Sequence, residues 1–157
     1  MKTIIKRIFP KTLNNDYKGY KIALYVFFAL TALTLWRSQH HLFAADGGAQ
    51  SIATIPLDTF TTSGAAAVIG VFGLWGLSQL IIGMIYLIVS LRYRAMIPLM
   101  YLLMFVEYFV RTVYFPLAKP IPTAGTAPGA IGNLPLMIIA LVMLGFSVVT
   151  PKKRKVS

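Results

Sequence analysis

"SGAAAVIGVFGLWGLSQLIIGMIYLIVSL", Ser63 to Leu91, contains no charged residue and only a few polar ones. A hydrocarbon core of about 30 Å needs about 20 apolar residues in helical form, and this run is longer than that. It lacks the sustained period-two alternation of a membrane β-strand. It reads as a transmembrane helix long enough to span with tilt. Three further runs read the same way, so the expected spans cover residues 19–37, 63–91, 95–118 and 131–149. The first has Lys21 at its edge, where a long side chain can snorkel to the interface. The third is apolar except for Glu107 and Arg111, and the fourth is uncharged up to the closing basic cluster. The expected fold is an all-α integral membrane protein, a single domain over residues 1–157, with four transmembrane helices in an antiparallel bundle.

Composition agrees with that reading. Of 157 residues, 57% are hydrophobic and 12% charged, whereas a soluble domain is about one quarter charged. The net charge of +11 would suit nucleic acid if the basic residues formed one folded face. They flank apolar runs instead, so a nucleic-acid partner is not expected. With no cysteine, the chain has no disulfide framework and no thiolate site.

The positions of lysine and arginine set the expected orientation. Lys2, Lys6, Arg7, Lys11 and Lys18 precede the first span, Arg92 and Arg94 lie between the second and third, and Lys152, Lys153, Arg154 and Lys155 follow the fourth. Arg37 and Lys119 are left for the opposite side. The positive-inside bias puts both termini in the cytoplasm of a bacterium with the chain in the inner (plasma) membrane, or in the matrix if the membrane is the mitochondrial inner one. In isolation the closing "PKKRKV" has the look of a nuclear-import signal. Directly after an apolar span, Lys152, Lys153, Arg154 and Lys155 read as its lipid-headgroup contact, on anionic lipid.

At the other end, "MKTIIKRIFPK" places Ile4, Ile5 and Ile8 on one helical face with Lys2 and Lys6 away from it. That pattern suits a short N-terminal interfacial helix on an anionic bilayer. A basic stretch with no acid before Asp16 is also what an organelle transit peptide shows. The interfacial anchor is the reading preferred.

Two loops belong to the outer side. Ser38 to Thr62 holds His40, His41, Asp46 and Asp58, and imidazole with carboxylate is a donor set for zinc or copper. Adjacent histidines on a helix point about 100° apart, so His40 and His41 are weak metal candidates and no metal or other cofactor is expected. Asp46, Gly47 and Gly48 read as a turn. Lys119 to Asn133, rich in proline and glycine, is expected to cap the bundle or lie against a partner.

The residues that carry chemistry lie inside the spans. An ionisable residue at membrane depth is costly and marks a candidate site. Glu107 and Arg111 lie four apart, on one helical face. If the chain turns at Tyr93, residues equidistant from the turn share a depth, which pairs Gln79 with Glu107, Trp75 with Arg111 and Phe72 with Tyr114. Glutamine can donate to a carboxylate, and an indole face attracts guanidinium. Gln79, Glu107, Arg111 and Trp75 are therefore expected to form an intramembrane polar cluster between the second and third spans. Gly76 and Gly83, one heptad apart, share the Gln79 face and permit close backbone approach there. Gly70 and Gly73 point elsewhere, as if the second span met neighbours on two sides.

No phosphate-binding loop, nucleophile elbow, paired catalytic carboxylates or haem-ligating histidines stand within the spans, so an enzyme is not expected. In size and four-span layout the chain is similar to small bacterial four-helix proteins such as the DoxX-like group, a likeness of layout that brings no function with it. The expected role is an accessory or assembly subunit of a larger membrane complex, or a homo-oligomer. The alternatives are a small channel or transporter using Glu107 and Arg111, and a metal- or quinone-associated redox subunit using His40 or His41.

Overall fold

A computed structural model describes residues 2–151. Every regular element among them is helical. A short helix α1 (Lys2–Ile8) precedes α2 (Lys21–Phe43) and α3 (Thr62–Arg92). The third long helix, Arg94–Ala118, is composite. It opens with a 3₁₀ turn (Arg94–Met96), continues as α4 (Ile97–Phe109), widens into a π turn (Val110–Tyr114) and closes as α5 (Phe115–Ala118). The last is α6 (Pro128–Val148). The four long helices are each long and apolar enough to cross a membrane.

Local chemistry explains the boundaries. Thr61 caps α3 by accepting from the Gly64 N–H, 3.1 Å away. Pro128 stands in the first turn of α6, where a missing N–H costs nothing. That helix therefore begins inside what the sequence reads as loop. The π turn, invisible to hydropathy, precedes Pro116. Proline offers no N–H to the Thr112 carbonyl, and its ring crowds that turn of an α-helix. The Val110 N–H is shared between the Val106 and Glu107 carbonyls, and Thr112 Oγ1 donates to the Tyr108 carbonyl.

Packing departs from the expected hairpin. α3 packs along α2 and α4 packs along α6, whereas α3 and α4 make few contacts beyond their shared turn. The glycines show why. A Cβ at Gly76 would lie 2.6 Å from the Leu42 backbone nitrogen, and one at Gly83 would lie 2.9 Å from Leu35 Cδ2. The small-residue face of α3 thus admits α2, not α4. Among the described residues nothing lies within 4 Å of a Cβ built at Gly70 or Gly73, so neither position faces a second helix, although Gly47 of the first loop approaches the Gly73 backbone.

The main core joins Ala23 and Phe27 of α2, Tyr86 and Val89 of α3, Ile97, Met100, Tyr101 and Met104 of α4, and Ala140 of α6. Phe27 packs edge-on against Tyr86 and Tyr101, at centroid distances of 5.7 and 5.6 Å. The buried Tyr101 hydroxyl donates to the Ala23 carbonyl at 2.7 Å. A second, smaller core lies at the far end, where Ala49, Ile55 and Leu57 of the first loop pack on Ala65, Val68, Ile69 and Phe72 of α3. With 31 residues, α3 is about 46 Å long, and this loop covers its projecting end. Gly47 and Gly48 adopt φ of 60° and 75°, as the expected turn requires. Thr54, at φ 56°, ties the two loops together: its carbonyl accepts from the Ala124 N–H and its hydroxyl donates to the Gly125 carbonyl.

At the opposite end, Arg7 donates to the Val148 carbonyl and to Thr150 Oγ1, and the Tyr20 N–H donates to the Phe146 carbonyl. The N-terminal segment therefore sits at the end of α6, and Arg7 satisfies the Val148 carbonyl, which the helix itself leaves open. The segment is docked on the bundle, a closer association than a helix that lies only on lipid.

Candidate functional site

Gln79 is the centre of the polar cluster. It lies on the buried face of α3, is 5% exposed, and touches charged residues from two other helices. Its Nε2 donates to Glu107 Oε1 at 3.0 Å, and its Oε1 accepts from Arg37 Nη2 at 3.3 Å. The amide orientation follows from charge, because only the oxygen can accept from a guanidinium and only the nitrogen can donate to a carboxylate. Arg111 Nη2 pairs with the same Glu107 oxygen at 2.5 Å, one helical turn along. The two side chains are 19% and 27% exposed for Arg111 and Glu107, so the pair sits at the edge of the bundle and not in its driest part.

Above the ion pair is an aromatic column. The Arg111 guanidinium lies over the Trp75 ring at 4.9 Å and near Tyr108 at 5.7 Å. Trp75 packs against His41 with centroids 4.6 Å apart, and against Phe72 at 5.8 Å. The Nδ1 of His41 is hydrogen-bonded to the Gly47 carbonyl at 2.9 Å, which couples the column to the loop over α3. Below the ion pair, Thr34, Tyr86, Met104 and Tyr108 line a crevice together with Gln79 and Glu107; its 10 Å³ is room for about one water.

The four residues expected to meet, Gln79, Glu107, Arg111 and Trp75, do meet. They do so by reaching across a gap, since their helices are not tightly packed there. The expected third rung fails. Tyr114 is half exposed and packs edge-on against Phe115, while Phe72 turns to Trp75 and His41. The π turn is the cause: widening the helix after Phe109 rotates later residues out of an α-helical register.

Arg37 is the member of the cluster that the sequence does not point to, since its place at the end of the first span reads as the outer side. The available signal was its spacing. Arg37 and His41 are four apart on α2 and share the face that Gly76 and Gly83 admit. His40 and His41 diverge as adjacent helical residues should, the former exposed and the latter buried. Among the described residues no group of three or more His, Asp or Glu could hold a metal. Lys152, Lys153, Arg154 and Lys155 lie outside the described residues.

Outside the spans, Asp46 organises the first loop. Its carboxylate accepts from the backbone N–H groups of Gly48, Gln50 and Ser51. Burial pushes its pKa up, but the N–H donors of Ser51, Gly48 and Gln50 outweigh this and hold it at about 2.

Comparison with protein-family models, with curated proteins and with solved structures finds no significant match for this chain.

Proposed function

We propose that the chain is a multi-pass protein of a bacterial inner membrane, with both termini cytoplasmic. In this reading it acts as an accessory or assembly subunit within a larger membrane complex, or as a homo-oligomer. The observation that carries this reading is the closure of the polar cluster. Arg37, Gln79, Glu107 and Arg111 form one connected chain of hydrogen bonds across three helices, and the crevice beside them has room for about one water. Such an arrangement holds helices in register and offers no continuous polar path. Meanwhile only 11% to 33% of the residues in the most apolar windows of the four long helices are buried within the chain, and large apolar side chains such as Leu74, Leu103, Leu117 and Ile131 stand exposed to meet lipid or protein.

The test is the mass of the particle after gentle solubilisation. A complex larger than one chain, with a defined set of co-purifying subunits or copies, is expected. A single sharp species at monomer mass overturns the proposal.

One observation favours a second reading. The cluster sets two guanidinium groups against one carboxylate, leaving a net positive charge beside a crevice. A small channel or transporter using Glu107 and Arg111 would need such a charge to attract an anion. Loss of a measured flux in Glu107→Gln with an intact fold would select this reading over the first.

A further inference from the structure

A large crevice lies at the end of the bundle that carries the N-terminal segment. It has a volume of about 340 Å³ and is walled by residues 3–18, the start of the third long helix at Ala95 and Pro98, and Ser147 of α6. That is within the size range of small-molecule sites, about 300–1,000 Å³. Four basic residues, Lys6, Arg7, Lys11 and Lys18, line it against one acid, Asp16. Asp16 already pairs with Lys18 at 3.3 Å, and Arg7 is committed to the end of α6. Lys6 and Lys11 make no ion pair among the described residues. Thr3, Thr12 and Tyr17 add neutral polar residues to the wall.

Beside this cationic crevice the same segment exposes Ile4, Ile5, Phe9 and Leu13. Exposed apolar side chains next to unpaired lysines are the mark of a surface that meets an anionic headgroup and its acyl chains together. A soluble phosphate compound would have no use for the apolar rim. We infer that this crevice binds the phosphodiester headgroup of an anionic phospholipid, with Lys6 and Lys11 as its charge contacts and the rim of Ile4, Ile5, Phe9 and Leu13 against the acyl chains. The bound lipid would join the N-terminal segment to the start of the third long helix and the end of α6. The inference rests on the reading that this end of the bundle lies at a membrane surface.

The experiment uses the full chain in detergent and reads retained lipid by native mass spectrometry. Phosphatidylglycerol and phosphatidylcholine of matched acyl chains are the probes. The chain should retain phosphatidylglycerol at least tenfold over phosphatidylcholine. Lys6→Gln with Lys11→Gln should lower phosphatidylglycerol retention by about 30-fold and leave phosphatidylcholine unchanged. Both lysines are exposed, so the variant should keep its fold. Equal retention of the two lipids, or undiminished phosphatidylglycerol in the double variant, overturns the inference. Displacement of lipid by millimolar glycerol 3-phosphate overturns the lipid as the source of the phosphate. Release of the protein from membranes by alkaline carbonate would instead overturn the membrane reading itself, which separates the two failures.

Discussion

Arg37 changes what each side chain in the cluster is worth. With Arg111 alone as its cation, Glu107 would form a neutral pair, and Glu107→Gln would remove a charge at little cost. With Arg37 also present on the far side of Gln79, the same substitution leaves two guanidinium groups in the cluster and no carboxylate. Glu107→Gln and Arg111→Leu should each lower unfolding stability in detergent by roughly 1–3 kcal/mol. The double variant should fall short of their sum by at least about 1 kcal/mol, because the two residues act as one unit. Arg37→Leu removes a single 3.3 Å hydrogen bond, and should cost no more than about 1 kcal/mol. Strict additivity of the first two, or an Arg37→Leu loss as large as that of Arg111→Leu, would show that the charge balance described is wrong.

At the level of elements, α3 presents two glycine faces of opposite meaning. Gly76→Ala puts a methyl 2.6 Å from the Leu42 nitrogen and 2.7 Å from the His41 carbonyl carbon, both backbone atoms that cannot swing aside. It should separate α2 from α3 and lower stability by roughly 1–3 kcal/mol. Gly70→Ala meets nothing within 4 Å, and should be neutral or gain up to about 1 kcal/mol from helix propensity. Thermal melts of the two variants side by side decide the matter, and equal effects would refute the α2–α3 packing. The first loop has its own dependence on pH. Since folding lowers the pKa of Asp46 to about 2, its contribution is complete above the ordinary value and is lost as pH falls through about 2. Protection of the Gly48, Gln50 and Ser51 amides from hydrogen exchange should fall across that window. Asp46→Asn should abolish the change, and an unaltered profile in that variant would assign the acid sensitivity elsewhere.

For the whole molecule, the structure puts the N-terminal segment and the end of α6 at one end of the bundle and the two loops at the other. In the proposed topology the first end, which carries most of the basic residues, is the cytoplasmic one. Because the native chain has no cysteine, introduced ones report side directly. Ser51→Cys and Thr126→Cys, both at exposed positions, should react with an impermeant reagent on intact cells, and Ser157→Cys should react only after lysis. The reverse pattern would invert the topology. Ala49 is unsuitable as a probe, since the loop folds it wholly out of reach.

Four helices, their approximate ends and the meeting of Gln79 with Glu107 were legible in the sequence. Hydropathy needs only local composition, and depth in an antiparallel pair needs only distance from the turn at Tyr93. Which helices pack against each other was not legible. A glycine face admits whichever backbone comes nearest, and only the assembled bundle makes that α2 for Gly76 and Gly83. Arg37 entered the cluster for the same reason, carried there by the α2–α3 contact. The failure of the Phe72 and Tyr114 rung came from the π turn, where the backbone around Pro116 departs from the 3.6-residue period that any face assignment assumes. Local composition determined the elements and their lengths, whereas partner choice and register beyond an irregular turn depend on contacts between residues distant in the chain, which only the tertiary structure supplies.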